Sequence, residues 1–152
     1  NTAISIIYSG TVSAATEGTV LGIPSIAISL TTYGKPDFRY AAKLARKLAL
    51  TVLKKGLPDG VLLNVNVPAV PEREIRGIKV TRQSKARWDD WFEARKDPSN
   101  KEYFWLTGRL VVGEMAEDTD QVAVENKYVS ITPIHYDLTA YDMLEKMKKW
   151  KW

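Results

Sequence analysis

The sequence contains no cysteine and only one histidine among its 152 residues. The lack of cysteine excludes disulfide bonds, thiolate zinc sites, iron–sulfur clusters and cysteine nucleophiles within this chain. A single histidine excludes metal sites that need two imidazoles from one chain, and a Ser–His–Asp triad would have to use His135. No apolar run approaches the roughly 18 residues that a membrane-spanning helix requires, so we expect no such helix.

Charge and hydrophobic content are those of an ordinary globular protein. Hydrophobic residues make up 45% of the chain and charged residues 26%, which is typical of a packed domain. The net charge of +4 slightly favours anionic ligands, but it argues against nucleic-acid binding because it is small for such a surface. The sequence opens without Met in the apolar segment 4–8, so we expect it to begin inside a domain.

The first half of the sequence alternates helix and strand signals. One helix is predicted to begin at Ser9-Gly10-Thr11, and a second helix carries an apolar residue every three or four positions. Strand, helix and strand in this order indicate a right-handed crossover in a parallel sheet, so the predicted fold class is α/β. The first predicted helix ends at Gly22, and the second runs from Asp37 to Lys55. The predicted strands cover 25–30 and 61–67, and Pro68 ends the second strand.

The pattern changes after Pro71, where short β-prone segments dominate. Residues 75–83 and 101–109 together predict a long hairpin, or arm, whose tip holds Trp88, Trp91 and Phe92. Further along, the sequence predicts an acidic loop at 113–120, a strand at 128–134 and a helix at 138–150.

The segment Tyr8-Ser9-Gly10-Thr11 is the strongest local indication of a ligand site. A helix start offers free backbone N–H groups and partial positive charge, and Ser9 and Thr11 add hydroxyls. Gly10 lets the backbone approach an anion closely. The pattern therefore suits phosphate, although helix capping alone would also account for it, and the GxxxxGK[ST] motif of P-loops is absent.

Other polar clusters have simpler interpretations. Asp89 and Asp90 are adjacent, so their side chains diverge, and we interpret them as part of a solvated turn. Glu117, Asp118 and Asp120 lack the Gly and Glu spacing of an EF-hand and are interpreted as a solvated loop.

His135 follows a predicted strand and precedes Asp137 by two residues. A hydrogen bond between them would orient the ring, as in a functional site. A structural role at a turn or subunit contact explains the same pair equally well. The aromatic residues of the arm could stack on bases, or pack between two arms or between subunits. The Lys-rich C-terminal helix could contact a nucleic acid or a membrane surface, or be a solvated helix end.

Five stretches together resemble the survival protein SurE family of nucleotidases. They cover essentially the whole chain in the family's order. They are 8–15 with Glu17-Gly18 and 22–27; Leu62-Leu63-Asn64-Val65-Asn66-Val67-Pro68; Val80-Thr81-Arg82-Gln83; Tyr103-Phe104-Trp105; and 128–133 with Asp137-Leu138-Thr139.

The resemblance implies a Rossmann-like core, a protruding hairpin arm and a C-terminal element exchanged between subunits of a dimer or tetramer. It divides this chain into 1–71 (the C-terminal half of the core), 72–112 (the arm) and 113–152 (the oligomerisation element and helix). It also implies a cytoplasmic enzyme that hydrolyses nucleoside 5′- and 3′-monophosphates with a divalent cation, Mg²⁺ or Mn²⁺.

The family's metal ligands match no position of this sequence, because its NDDG and SGxN motifs would lie before Asn1. The resemblance assigns Asn1, Ser9, Gly10 and Thr11 to the phosphate-binding half of the site, and His135 to a site-bordering or structural position. Two hypotheses follow. The chain is either part of a metal-dependent nucleotidase or a non-catalytic phosphate-binding and oligomerisation module without metal carboxylates.

Overall fold

The structure is a computed structural model that describes residues 1–32, 34–111, 113 and 116–152. Its helices are α1 (Gly10–Val20), α2 (Arg39–Lys55), α3 (Asp120–Glu125) and α4 (Tyr141–Met147), with short 3₁₀ helices at Ala3–Tyr8 and Glu72–Glu74. Its strands are β1 (Ile26–Thr31), β2 (Val61–Pro68), β3 (Gly77–Val80), β4 (Arg87–Lys96), β5 (Glu102–Val111) and β6 (Tyr128–His135).

The main sheet has the strand order β1-β2-β6-β3. β1 and β2 are parallel and joined through α2, which confirms the crossover predicted from the first half of the sequence. β6 runs antiparallel to β2, and β3 runs parallel to β6. The sheet is therefore mixed. The β1–β2 and β3–β6 pairings are parallel, as expected of a parallel core, and the β2–β6 pairing between them is antiparallel.

Two apolar layers cover the two faces of this sheet. Ala41 and Leu44 of α2 pack on Val65, Val67 and Val129. On the opposite face, Val12 and Ala15 of α1 pack on Ala27 and Leu62. β2 can serve both layers because successive side chains in a strand point to opposite faces.

One of the two strands predicted for the hairpin is confirmed, since β5 covers Glu102–Val111 where 101–109 was predicted, but its partner is β4 and not 75–83. β4 and β5 pair with each other as a separate antiparallel sheet, from Arg87–Val111 to Lys96–Glu102. Residues 77–80 belong instead to the main sheet, since β3 pairs with β6. Trp88, Trp91 and Phe92 consequently lie within β4, while the turn forms around Asp97, which accepts hydrogen bonds from the Ser99 and Lys101 N–H groups at 2.8 and 2.9 Å.

The C-terminal part also departs from its prediction in two places. α4 covers 141–147, so it is shorter than the predicted helix at 138–150. The acidic segment at 113–120 leads into α3, a six-residue helix that the sequence did not predict because it is too short to show periodicity. Glu114 and Met115 of that segment lie outside the described residues.

Candidate functional site

The start of α1 has the structure expected of a capped helix N-terminus. Ser9 is buried, and its Oγ accepts a hydrogen bond from the Val12 N–H at 3.2 Å. The Ser9 carbonyl accepts from the Ser13 N–H at 2.9 Å. The first N–H groups of an α-helix have no intrahelical acceptor, and those of Gly10 and Thr11 are the ones that Ser9 does not satisfy. This end of α1 can therefore still donate hydrogen bonds to an anion.

Gly10 and Thr11 are both exposed. A Cβ built on Gly10 would meet no protein atom within 4 Å. The space above this residue is therefore open to a ligand, and the helix does not need glycine there for its own packing.

Asn1 lies on the face of the sheet that α1 covers. Its Nδ2 donates to Ser29 Oγ at 2.6 Å, at the carboxyl end of β1. Its backbone carbonyl accepts from Asn64 Nδ2 at 2.9 Å and from Asn66 Nδ2 at 3.2 Å. None of the contacts between described residues joins Asn1 directly to Ser9 or Thr11.

Asn64 and Asn66 are functional candidates that the sequence indicated only as part of the stretch 62–68. Both are fully buried, and their Oδ1 atoms have no hydrogen-bond partner among the described residues. Buried amide oxygens without partners are costly. The sequence did contain one indication of this pair. The two residues are two positions apart in an apolar strand, which places both amides on one face of the sheet.

A hydroxyl network continues this polar face across β6. The Oγ1 of Thr81 lies 2.8 Å from both Ser130 Oγ and Thr132 Oγ1. All three side chains are buried. Because Ser130 and Thr132 stand opposite Asn66 and Asn64 in the register, one polar stripe crosses the sheet below Asn1.

The acidic cluster splits into two environments. Asp118 is exposed and accepts from Arg82 Nε at 2.8 Å, and this hydrogen bond lowers the pKa of Asp118. Asp120 is fully buried and accepts from the N–H groups of Ala3 at 2.8 Å and Ser84 at 2.9 Å. The prediction of a solvated loop is wrong for Asp120, because backbone N–H groups from two distant segments replace water around it.

Asp89 and Asp90 lie in β4 and not in a turn. Both are exposed, and Asp89 faces Arg109 across the hairpin with an Oδ2–Nη2 distance of 3.8 Å. Ten consecutive paired residues hold this segment extended.

His135 stands at the other end of β2 from Asn66. It pairs with Val61, five residues before Asn66, which corresponds to about 16 Å along the strand. Asp137 accepts hydrogen bonds from the Thr139 N–H and Tyr141 hydroxyl. Hydrogen bonding from Thr139, chiefly its side chain, and from Tyr141 holds the pKa of Asp137 at about 2. Asp137 thus organises the chain before α4, and the described contacts include no hydrogen bond from His135 to it.

The described residues do not form a divalent-metal site by themselves. Such cations take oxygen ligands that include carboxylates. Within the described ranges, no group of three or more His, Cys, Asp or Glu side chains could hold one. The groups hydrogen-bonded to Asn1 are a hydroxyl and two amides.

Within the described residues, no helix has the length and apolar character needed to cross a membrane.

The survival protein SurE family matches residues 1–90, which is more than half of the chain. The chain belongs to the SurE family. The SurE relatives include the 5′-nucleotidase SurE of Flavobacterium psychrophilum, which is 46% identical over 99% of this chain and 59% of its own length. The 5′-nucleotidase SurE of Symbiobacterium thermophilum is 45% identical over 99% of this chain and 59% of its own length.

The SurE protein of Aquifex aeolicus has a similar structure. Its crystal structure superimposes with a TM-score of 0.81 and 42% identity, covering 97% of this chain and 60% of the other. The chain therefore spans about three fifths of the length of these SurE proteins. The resemblance inferred from five sequence stretches is confirmed.

Proposed function

We propose that this chain is part of a phosphomonoesterase that hydrolyses nucleoside 5′-monophosphates, and also 3′-monophosphates, to nucleoside and phosphate. Relatives that match 99% of the chain are named 5′-nucleotidases. The observation that carries the proposal is the start of α1, where Ser9 caps the helix and the space above Gly10 is open.

The phosphate would bind at Ser9–Thr11. The N–H groups of Gly10 and Thr11 and the Thr11 hydroxyl would donate to phosphoryl oxygens, and the helix dipole would favour their negative charge. In hydrolysis, water adds to phosphorus, the ester P–O bond breaks and the ribose oxygen leaves with a proton. Donors that are already oriented stabilise the charge on the phosphoryl oxygens during this step.

Asn1 supports the same site from the sheet side in this proposal, held by Ser29, Asn64 and Asn66. The carboxylates that bind the implied Mg²⁺ or Mn²⁺ would come from outside this chain. His135 keeps its proposed site-bordering or structural role, and the cytoplasmic location stays a prediction.

Phosphate release from AMP, with Mn²⁺ or Mg²⁺ and with excess EDTA, tests the activity in the protein that carries this chain. The double variant Ser9→Ala, Thr11→Ala should lower kcat/KM by about 100-fold or more while the protein stays folded. Thr16→Ala is a matched control one turn further along α1, since among the described residues the Thr16 hydroxyl hydrogen-bonds only to the Val12 carbonyl. Unchanged turnover in the double variant would contradict the assignment.

The alternative function is a non-catalytic phosphate-binding and oligomerisation module. The lack of a metal-ligating cluster among the described residues favours it. Binding of AMP without metal-dependent phosphate release would support this alternative, whereas metal-dependent release would exclude it.

Homo-oligomerisation through the hairpin and the C-terminal element belongs to the same proposal. An isolated two-stranded hairpin is marginally stable in water, and here it exposes Phe92 (69%), Phe104 (66%) and Trp105 (52%). Burial of such side chains against a second subunit would stabilise both. By light scattering, Phe104→Asp should reduce the mass of a dimer or tetramer, whereas Glu102→Ala at the end of β5 should not.

A further inference from the structure

A cavity of about 380 Å³ lies between the sheet and the base of the hairpin. Thr31 and Thr32, at the carboxyl end of β1, line it together with Asn1. Ligands of open α/β sheets bind outside the carboxyl ends of the strands. The volume is within the range of small-molecule sites.

One wall of this cavity is apolar and aromatic. Trp88 of β4 and Leu110 of β5 are direct partners in the hairpin, and both line the cavity. Trp88 remains 46% exposed, so a ligand can contact the indole. Indole rings stack well on flat, uncharged rings.

Uncharged polar side chains also line the cavity. Ser29 Oγ accepts from Asn1 Nδ2 at 2.6 Å, which leaves its own proton free to donate. Gln121 is held in place because its Oε1 accepts from Thr2 Oγ1 at 2.6 Å and its Nε2 donates to Glu125 at 2.7 Å. The described lining includes no Asp, Glu, Lys or Arg. This composition suits the neutral part of a nucleotide and not its phosphate.

A second cavity shares two lining residues with the first and reaches the segment before α1. Trp88 and Ser5 line this cavity of about 430 Å³ together with Tyr8, which is next to the Ser9 cap, and with the charged Arg87 and Asp90. Ser5 and Tyr8 belong to one 3₁₀ helix and are about 6 Å apart along its axis. A span of this size is comparable with one ribose.

We infer that the cavity at Trp88 receives the base of a nucleoside monophosphate whose phosphate binds at Ser9–Thr11, with the indole stacked on the base. This inference rests on the proposed function and adds a specificity-determining residue to it. Purines should bind more tightly than pyrimidines, because they present a larger surface to the indole.

The test compares AMP with ribose 5-phosphate, which carries the same phosphate and sugar without a base. Affinities are measured by titration calorimetry in EDTA, on the protein that carries this chain. Trp88→Ala should weaken AMP binding about tenfold or more and leave ribose 5-phosphate binding unchanged. Trp88→Phe should retain most of the affinity for AMP, since phenyl rings also stack.

Trp91→Ala is the matched control. It removes a similarly exposed indole from the same strand, at 47% exposure, but Trp91 lines neither of these two cavities. The inference is overturned if wild-type protein does not bind AMP, if Trp88→Ala weakens both ligands equally or neither, or if Trp91→Ala has the same selective effect.

AMP hydrolysis with Mn²⁺ separates this inference from the proposed function. Base-selective binding without hydrolysis would contradict the enzymatic function and support the base site. Hydrolysis of AMP with equal effects of Trp88→Ala on both ligands would support the function and overturn the base site.

Discussion

Asp120 Oδ2 accepts a hydrogen bond from the Ala3 N–H at 2.8 Å, although the two residues are 117 positions apart. The other carboxylate oxygen accepts from the Ser84 N–H at 2.9 Å. One buried side chain therefore ties the segment before α1, the segment before the hairpin and the first residue of α3 together. These three segments adjoin the proposed phosphate and base sites.

Asp120→Asn should lower the free energy of unfolding by about 2–3 kcal/mol, measured by urea denaturation. The Oδ1 atom of Asp120 also accepts from the Gln121 N–H at 2.7 Å. Because an amide nitrogen cannot accept, at least one of these three N–H donors loses its partner in a buried position. Asp118→Asn is the control two residues away. Its exposed ion pair with Arg82 should contribute less than about 1 kcal/mol. Equal losses in the two variants would contradict the role of Asp120.

Asn66→Leu should raise KM for AMP with a change in unfolding free energy below about 1.5 kcal/mol. The substitution frees the Asn1 carbonyl from one of its two amide donors, and it also removes a buried oxygen that has no partner. Steady-state kinetics and denaturation measure the two effects. Thr132→Val, on the same sheet face, breaks a hydroxyl contact with Thr81 and should leave KM unchanged.

Gly10→Ala should lower kcat/KM for AMP about tenfold or more without loss of stability. The added methyl meets no protein atom within 4 Å, and alanine is the better helix former, but the methyl occupies the space proposed for phosphate. Gly18→Ala is the contrasting variant of the same helix. Its Cβ would lie 2.4 Å from Ser25 Oγ, so it should reduce stability first. Full activity of Gly10→Ala would argue against phosphate binding there.

The turn before α4 should lose its stabilisation in acid. The hydrogen bonds from Thr139 and Tyr141 lower the pKa of Asp137 from its ordinary 3.8 to about 2. A lowered pKa in the folded state means that the contribution is complete above pH 3.8 and disappears as the pH falls through about 2. Carboxyl-carbon NMR should give this pKa, and Tyr141→Phe should move it toward 3.8. An Asp137 pKa near 3.8 in the wild type would refute the turn geometry.

Features with short-range signals were predicted well from the sequence. The Ser9 cap is read from a few consecutive residues, and α2 from its apolar repeat, so both are present at the expected positions. The same applies to β1, β2 and β6, because short β-prone runs can be recognised without distant information.

Features that depend on distant partners were not predicted. The sequence predicts a solvated carboxylate at Asp120, because the residues that bury it are far away in the chain. Ala3 is 117 positions from Asp120, and Ser84 is 36 positions from it. The hairpin was predicted from β propensity, which does not specify which β-prone segments pair, and so residues 77–80 were placed in the wrong sheet.

The sequence by itself determined the α/β class, the family and the helix start proposed to bind phosphate, since local spacing and motif carry them. Only the tertiary structure decided that Asn64 and Asn66 clamp the Asn1 carbonyl and that Trp88 lines a cavity beside it. Asn1 and Asn64 are 63 positions apart in the sequence, so local sequence patterns do not show that they touch. Such contacts form only when the sheet and hairpin are assembled.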